Sequence, residues 1–318
     1  MDPNLYVAAS FDRLPFTLLQ YNVDQAMREE KYEATKWVNR SARIRALILK
    51  VNADIVTLQE FRALPGVDET PEQFLASFSP AYRYVIEYRN SQPLAFGQVT
   101  MWKADRFYPL EVAKRWLSDT PSIPSDTWGV ISGTKVGSTG FGTIVNGVRF
   151  APIHEGKFIY GATPFWVFNT HFQLDEHVKT QSCHSVLRSM REIIGNANEA
   201  FTLSGDFNFF PDRDGATQRA ILTSELQDLG VKMNTLEQKE LHGTFVGYDH
   251  DEFKADLGNM VSRLDHIFLG GAPRIESRSE WLLVYNRTML ENEPEPFTTR
   301  SYPSDHLPLV AFLSLALK

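Results

Sequence analysis

The sequence of 318 residues predicts an α/β protein in which helices cover two packed β-sheets. Several short runs are continuously apolar and rich in β-branched and aromatic residues, which is typical of strands buried on both faces. Other segments carry apolar residues at helical spacing. Because no internal repeat or long Gly/Ser linker divides the chain, we expect a single domain over residues 1–318 with its core at about 16–314.

The first predicted elements are a strand at 16–22, a helix at 41–51 and a strand at 54–59. The helix has apolar residues at i, i+3, i+4 and i+7, namely Ile44, Leu47, Ile48 and Val51. The following strand delivers a carboxylate, Glu60, at its end. A helix that leads directly into a buried strand is typical of layered α/β architectures.

The rest of the chain also contains predicted strands and helices. Further strands are predicted at 83–88, 98–102, 164–172, 200–208, 262–269 and 307–313. Helices are predicted at about 179–195 and 215–225. The Ser/Pro/Gly-rich stretch 118–140 and the Glu/Pro-rich stretch 291–303 are interpreted as long surface loops, which in compact domains are often binding loops or lids.

Composition excludes several classes of protein. Apolar residues make up 43% and charged residues 22%, which argues against disordered, fibrous and coiled-coil proteins. Lys and Arg total 32 against 39 Asp and Glu, and the net charge of −7 without a basic tail argues against strong binding to duplex DNA. The single cysteine, Cys183, excludes an intrachain disulfide and a Cys-rich zinc site, so we expect a reducing compartment, the cytoplasm.

Membrane insertion is not expected from the sequence. The amino terminus has no basic region followed by an apolar core, so it does not resemble a signal peptide. The longest apolar stretch, 307–317, is too short to cross a bilayer, and we expect no transmembrane segment.

The most informative pattern is that polar residues stand repeatedly where apolar strands begin or end. They are Asn22, Glu60, His171, Asp206, Asn208, Asp265, Asp305 and His306. Each one alone has an ordinary structural explanation as a turn, cap or satisfied buried residue. Strand ends converge in space, however, and the repetition of the pattern along the chain favours a shared site.

This set of residues is rich in oxygen ligands and lacks cysteine. Carboxylates and amides suit Mg²⁺, with Mn²⁺ as the alternative, and zinc is the weaker candidate. Such an ion typically binds phosphate oxygens as well, which points to a phosphate-ester substrate. An Asp next to a His before the last strand can orient an imidazole for general base catalysis.

Six motifs in order resemble the endonuclease/exonuclease/phosphatase superfamily, which has a DNase I-like fold. They are LQYNV (19–23), VTLQE (56–60), NTHF (169–172), SGDFN (204–208), SRLDHIF (262–268) and PSDHLPL (303–309). The resemblance runs from about Phe16 to Leu313. It implies a four-layered α/β sandwich, in which two packed mixed β-sheets are flanked by helices and the site lies at one mouth between the sheets.

The resemblance also implies where a metal ion would bind. Glu60 would be the principal Mg²⁺ ligand, with Asn22 and Asp305 nearby. Asp24 offers a further acidic group whose reach the sequence leaves open. Relatives often carry an Arg-containing segment after the residue equivalent to His171, but here Lys179 is the nearest cation.

The remaining motif residues take chemical roles by the same resemblance. His171 and Asn208 would donate hydrogen bonds to phosphoryl oxygens. Asp206 would position or deprotonate the attacking water. His306, oriented by Asp265, would be either the base or a phosphate-binding imidazole.

The leading prediction is a Mg²⁺-dependent phosphoesterase that hydrolyses a phosphodiester by in-line attack of water, acting as a nuclease or on a small diester. Single-stranded nucleic acid or a nucleotide is the expected partner. Aromatic residues in the predicted loops could stack on bases, namely Trp128, Phe141, Phe158, Tyr160 and Phe253.

Three alternatives stay open at this stage. A phosphomonoesterase acting on an inositol phosphate, phosphoinositide or nucleotide would use the same metal and base, because the two reactions share the phosphorus centre. A catalytically inactive interaction module would be expected to lose site residues, and none is lost. A sphingomyelinase-like esterase lacks support from an apolar hairpin. The oligomeric state is left open.

Overall fold

The computed structural model describes residues 5–8, 12–25, 36–62, 69–89, 96–125, 130–131, 134–135, 143–195, 199–210, 215–229, 244–245, 263–271, 275–278, 283–284 and 303–317. Within these ranges the chain forms two large β-sheets, a short two-stranded ribbon and four α-helices.

The first sheet has eight strands. They are β1 (Tyr6–Val7), β6 (Phe107–Trp116), β9 (Ile144–His154), β10 (Lys157–Ile159), β11 (Phe165–His171), β12 (Phe201–Asp206), β13 (Gln227–Asp228) and β14 (Asp265–Gly270). Seven of them run in the order β1-β10-β9-β11-β12-β14-β13, and β6 pairs with β9. The sheet is mixed, because β11 and β12 are parallel while β9 and β14 run antiparallel to their neighbours in that pair.

The second sheet has seven strands. They are β2 (Arg13–Asn22), β3 (Ile55–Arg62), β4 (Tyr82–Tyr88), β5 (Phe96–Lys103), β15 (Ile275–Ser277), β16 (Leu283–Val284) and β17 (Leu309–Ala316). Its order is β15-β17-β2-β3-β5-β4, and β16 pairs with β17. Here β2 and β3 are the parallel pair. The separate ribbon joins β7 (Val130–Ile131) to β8 (Thr134–Lys135).

An apolar layer joins the two sheets. Leu18 and Ile55 of the second sheet and Val167 and Ile267 of the first belong to one cluster, and all four are fully buried. Burying an aliphatic side chain of this size contributes about 1.5–3 kcal/mol to folding. The inward faces of the two sheets therefore form the central core.

The helices cover the outer faces of the sheets. Helices α1 (Trp37–Val51) and α2 (Pro71–Ala76) pack on the second sheet, and α3 (Glu176–Ile194) and α4 (Ala216–Thr223) pack on the first. The order of layers is helix, sheet, sheet, helix, which confirms the predicted four-layered α/β sandwich. Of the helices described, none has the length and apolar character needed to span a membrane.

Helix α1 confirms the periodicity argument, and α2 shows its limit. Of the predicted apolar face of α1, Ile44, Leu47 and Ile48 are buried and Val51 is half-buried. The helix ends where Asn52 adopts a left-handed conformation and donates its N–H to the carbonyl of Ile48 at 2.9 Å. The six-residue α2 begins with a capping box between Thr70 and Gln73 and has Pro71 at its start. It was not predicted, because six residues are too few to establish a helical period.

Two long strands were also not predicted. Strand β9 contains Gly147, whose position is so tight that an added Cβ would lie 2.5 Å from the ring of Phe168. Strand β6 contains Pro109 next to a register shift and carries several charged residues. Gly and Pro inside a strand weaken the sequence pattern. Here close packing against Phe168 requires Gly147, and the register shift accommodates Pro109.

The predicted loops are only partly described. Trp128, Phe141 and Phe253 lie outside the described residues, as do residues 291–302. Phe158 belongs to β10 and packs edge-on against Tyr108 of β6, with ring centroids 5.5 Å apart. Phe158 therefore has a packing role on the first sheet.

Candidate active site

The predicted polar residues meet at one end of the two sheets. Asn22, His171 and Asp206 are the last residues of β2, β11 and β12. Strand β14 runs antiparallel to β12, so its first residue, Asp265, pairs with Asp206. Strand β17 runs antiparallel to β2, so the segment 303–308 before it reaches the same end.

Glu60 occupies an irregular point in β3. The pairing of β3 with β5 shifts register between Leu58 and Phe61, and Glu60 has a φ of 64°. A bulge of this kind redirects a side chain out of the regular alternation. A left-handed conformation at a residue other than glycine persists only where the surroundings hold it. The bulge leaves the Glu60 side chain 14% exposed at the site.

The Asn22 amide holds two carboxylates side by side. Its Nδ2 donates to Oε1 of Glu60 and to Oδ2 of Asp206, each at 2.9 Å. Its Oδ1 accepts the backbone N–H of Asp24 at 3.0 Å. Because one amide satisfies both acids, Asn22 sets the spacing between them.

His171 lies beside the same two carboxylates. Its Nε2 is 3.5 Å from Oε1 of Glu60 and 3.5 Å from Oδ2 of Asp206. Burial, together with the positive charges of Arg89 and His306, holds the pKa of His171 well below its usual value. The imidazole is therefore neutral at physiological pH.

The clustered acids resist ionisation. Burial raises the pKa of Asp206 to about 7, with His306 opposing and the charges of Asp265 and Glu60 reinforcing the effect. Burial and the charge of Asp305 also raise the pKa of Glu60. A cation placed among these groups would offset their mutual repulsion.

His306 is held by a second acid. Its Nδ1 is 2.8 Å from Oδ2 of Asp265, whose other oxygen accepts Nε2 of Gln20 at 2.8 Å. Its Nε2 is 3.7 Å from Oδ2 of Asp206. Burial disfavours the charged imidazole, but Asp265 and Asp206 outweigh it and raise the pKa of His306 well above its usual value. The ring of Phe245 packs edge-on against the imidazole of His306, with ring centroids 5.2 Å apart.

Asn208 closes a turn after β12. Its backbone N–H donates to Oδ1 of Asp206 at 2.9 Å, and its side-chain Nδ2 donates to the carbonyl of Phe172 at 2.7 Å. Lys179 donates to the carbonyl of Asn208 at 2.7 Å and forms an ion pair with Glu176. Lys179 is buried, and its hydrogen bond stabilises the turn from the interior of the protein.

A buried arginine joins the two acidic segments. Arg40 of α1 donates to the carbonyls of Val23 at 3.0 Å, Asp24 at 2.6 Å and Pro303 at 2.7 Å. It thereby fixes the end of β2 against the segment that carries Asp305. Burial and the charge of Asp305 raise the pKa of Asp24 well above its usual value, which shows that Asp24 lies within the acidic cluster.

Polar pairs beneath the site connect the two sheets. Nε2 of Gln59 donates to Oδ1 of Asn169 at 2.9 Å, and the hydroxyls of Thr57 and Ser204 lie 2.8 Å apart. All four residues are fully buried. Buried polar pairs of this kind favour one relative position of the sheets, because any other position leaves the polar groups unpaired.

Two arginines that were not predicted from the sequence lie beside the site. Arg62 is the last residue of β3, and Arg89 directly follows β4. Both guanidinium groups lie on the ring of Phe96, at 4.6 Å and 5.3 Å from its centroid. Arg89 follows the strand predicted at 83–88, so the pattern of polar residues at strand ends also points to Arg89.

The residues present fit a divalent cation. Glu60, His171 and Asp206 each offer a ligand atom, and these atoms all lie within 4.8 Å of one another. Within the described part of the chain, Oδ2 of Asp24 is buried and has no hydrogen-bond partner. A donor set dominated by carboxylate oxygen suits a hard ion such as Mg²⁺ or Mn²⁺.

Comparison with known proteins agrees with this geometry. Residues 19–306 match the model of the Endonuclease/Exonuclease/phosphatase family. The uncharacterised protein L388 of Acanthamoeba polyphaga mimivirus is 28% identical over 300 residues, which cover 92% of this chain and 98% of that protein.

Solved structures show the same fold. An endonuclease/exonuclease/phosphatase family protein from Bacteroides thetaiotaomicron has a TM-score of 0.68 at 22% identity, covering 96% of this chain and 99% of that one. A mannosyl-6-phosphatase from the same species has a TM-score of 0.66 at 22% identity, covering 94% and 99%. The chain therefore belongs to the endonuclease/exonuclease/phosphatase family, whose members are phosphoric ester hydrolases such as phosphatases and nucleases.

Proposed function

We propose that this chain hydrolyses phosphodiesters by attack of a water molecule, with Mg²⁺ as the cofactor. The observation that carries the proposal is the convergence of Glu60, His171 and Asp206 at one point, with His306 3.7 Å from Asp206. This arrangement combines a cation site, a neutral hydrogen-bond donor, a carboxylate base and a cationic imidazole.

Glu60 is the principal candidate for the metal ligand, with Asp305 close enough to raise its pKa and Asn22 ordering its position. When bound, Mg²⁺ supplies Lewis acid stabilisation of the charge that develops on the phosphoryl group. Asn22 donates to both Glu60 and Asp206, so the metal ligand and the neighbouring acid are held at a fixed separation before the metal binds.

The pKa directions divide the acid–base roles between Asp206 and His306. Asp206 is our candidate for the base, because burial raises its pKa toward neutrality and its carboxylate lies beside the candidate cation site. His306 has a raised pKa and is protonated, so it binds a phosphoryl oxygen as a charged donor. Neutral His171 donates its Nε2–H to a second phosphoryl oxygen.

The charge of the site favours a diester over a monoester. The cluster contains five acids, which are Asp24, Glu60, Asp206, Asp265 and Asp305. A phosphodiester carries one negative charge, whereas a monoester carries about 1.5 to 2 near pH 7. Repulsion from the acids therefore disfavours binding of a diester less than binding of a monoester. A nucleotide or single-stranded nucleic acid fits this requirement.

A phosphomonoesterase is the second candidate, and a specific observation favours it. Arg62 and Arg89 both lie near enough to Glu60 for its negative charge to act on them. This charge raises the pKa of each arginine, whereas burial lowers it. Two fixed cations beside the acids would help to bind a dianionic phosphate. The fold is also shared with a mannosyl-6-phosphatase.

A substrate panel separates the two candidates. Purified protein is assayed with Mg²⁺, with Mn²⁺ and with EDTA on bis(4-nitrophenyl) phosphate, 4-nitrophenyl phosphate, single-stranded and duplex oligonucleotides, and inositol phosphates. Metal-dependent cleavage of diesters or oligonucleotides supports the proposal. Release of phosphate from monoesters alone would replace it with the second candidate.

Two variants connect the activity to this site. Glu60→Gln and His306→Ala are expected to lose most turnover with every substrate while remaining folded. Glu225→Gln is the matched control, because Glu225 forms an exposed ion pair with Arg191 on the helical face. Wild-type turnover in His306→Ala would contradict the assignment of the site.

A further inference from the structure

Arg89 is a buried arginine that the proposed reaction does not yet use. It follows β4 and is 5% exposed. Its backbone is held on both sides, because its N–H donates to the carbonyl of Phe96 at 3.1 Å and its carbonyl accepts Nε1 of Trp116 at 2.7 Å. The backbone of Arg89 is therefore fixed against the start of β5 and the end of β6.

The Arg89 side chain crosses from the second sheet to the first. One terminal nitrogen donates to the backbone carbonyl of His171 at 2.8 Å. The ring of Phe96 lies beneath the guanidinium group at 5.3 Å, and the same ring meets the imidazole of His171 edge-on at 6.1 Å. Arg89 and Phe96 together fix both the backbone and the ring of His171.

The charge of Arg89 is balanced by the site itself. No carboxylate of the described residues lies within ion-pair distance of Arg89, and its Nε–H finds no acceptor among them. Arg89 contacts the carbonyl of His171, whose imidazole lies 3.5 Å from both Glu60 and Asp206. The charges of these two acids oppose the lowering of the Arg89 pKa by burial. Leaving a buried guanidinium group without a paired acid is costly, which argues for a functional reason.

We infer that Arg89 is a positioning residue for hydrolysis: it holds His171 at the phosphoryl position and keeps a fixed positive charge beside Glu60 and Asp206. This inference rests on the proposed function. This charge would limit how tightly Glu60 and Asp206 attract a divalent cation.

The two proposed roles of Arg89 predict two different effects of the Arg89→Met substitution, one on kcat and one on Mn²⁺ binding. Release of His171 is expected to lower kcat about 100-fold with little change in KM, because the phosphoryl donor is misplaced. Loss of the positive charge is expected to tighten Mn²⁺ binding at least about threefold, because a fixed positive charge repels the cation. If Arg89 had only a structural role, Arg89→Met would bind Mn²⁺ more weakly, because the substitution would loosen the site.

The experiment measures kcat, KM and thermal unfolding, and follows Mn²⁺ binding by electron paramagnetic resonance of the free ion. Arg89→Lys is the second variant, because it keeps the charge, and we expect wild-type Mn²⁺ affinity with reduced kcat even if Arg89→Met does not fold. Arg149→Met is the control, since Arg149 pairs with Glu199 at the far end of the first sheet and should not affect the site.

The outcomes separate this inference from the proposed function. Absence of metal-dependent turnover in the wild type would defeat the proposed function, whatever Arg89 does. An active wild type with an equally active Arg89→Met would overturn the inference alone. Weaker Mn²⁺ binding in both Arg89 variants, together with a lower unfolding temperature, would also overturn it in favour of a structural role.

Discussion

Nδ1 of His306 lies 2.8 Å from Oδ2 of Asp265, and this pair joins the two sheets at the site. Asp265 begins β14 in the first sheet, and His306 precedes β17 in the second. Asp265 is fully buried, so its negative charge has little solvent to stabilise it. The same contact therefore orients the imidazole of His306 and stabilises its protonated form.

Asp265→Asn is expected to reduce kcat by about 10² to 10⁴ with little change in stability. The amide has the same shape and can still accept from Gln20, but it does not hold His306 as an imidazolium. Steady-state kinetics with a diester substrate and thermal unfolding are the measurements. A kcat close to that of the wild type would show that His306 works without Asp265.

Mg²⁺ should stabilise the protein more as the pH rises through about 7. The pKa of Asp206 is about 7 in the folded, metal-free protein, against 3.8 for an ordinary carboxyl group. Folding therefore favours the protonated acid, and stability from this group falls as the pH rises between those values. A cation beside Asp206 favours the ionised form of this acid, so Mg²⁺ should bind, and compensate for this loss of stability, mainly at higher pH.

The check is the shift in unfolding temperature on adding Mg²⁺, measured at several values between about pH 5.5 and 8.5. Asp206→Asn removes the titrating group, and the steep rise near pH 7 should disappear with it. A shift that is already at its maximum at the acidic end in the wild type would contradict the prediction.

Gly205→Ala is expected to destabilise the protein by about 2 to 4 kcal/mol and to displace Asp206. Gly205 has a φ of 155°, and an added Cβ would lie 2.0 Å from the carbonyl oxygen of Thr170 on the adjacent strand. Gly156→Ala is the matched control. Gly156 has a φ of 73° but open space around it, so only the backbone cost of about 1 to 2 kcal/mol remains. Urea denaturation compares the two, and equal losses would refute the steric argument.

Asp54 should stabilise the fold mainly at neutral pH. Burial raises its pKa, but Arg106 at 2.8 Å, the backbone N–H of Thr17 at 2.9 Å and Lys103 at 3.1 Å together lower it below the usual value. A carboxyl group with a depressed pKa contributes stability above its unfolded pKa and loses it as the pH falls through the folded value.

Asp54→Ala is therefore expected to cost about 2 to 3 kcal/mol at pH 7, with a smaller difference from the wild type below about pH 4. Glu276→Gln provides the comparison, because its ion pair with Arg13 is exposed and should contribute less than about 1 kcal/mol. Denaturant unfolding at both pH values tests this. An Asp54 effect that does not depend on pH would contradict the charge argument.

The fold was predictable where local pattern and tertiary environment agree. The strands that carry Asn22, His171 and Asp206 are apolar runs that end in a polar residue, and the structure has them at the expected positions. Strands β6 and β9 were missed because packing against neighbouring strands, and not local propensity, makes Pro109 and Gly147 acceptable there.

The amino-acid sequence by itself determined the layers and the chemical inventory of the site, because buried strands, amphipathic helices and oxygen ligands are properties of local composition. Only the tertiary structure decided how these groups act together. The Asn22 bridge between two acids, the left-handed Glu60 and the Arg89 contact to His171 each depend on strands far apart in sequence. Burial and electrostatic coupling set the pKa values, and both exist only once the two sheets have packed.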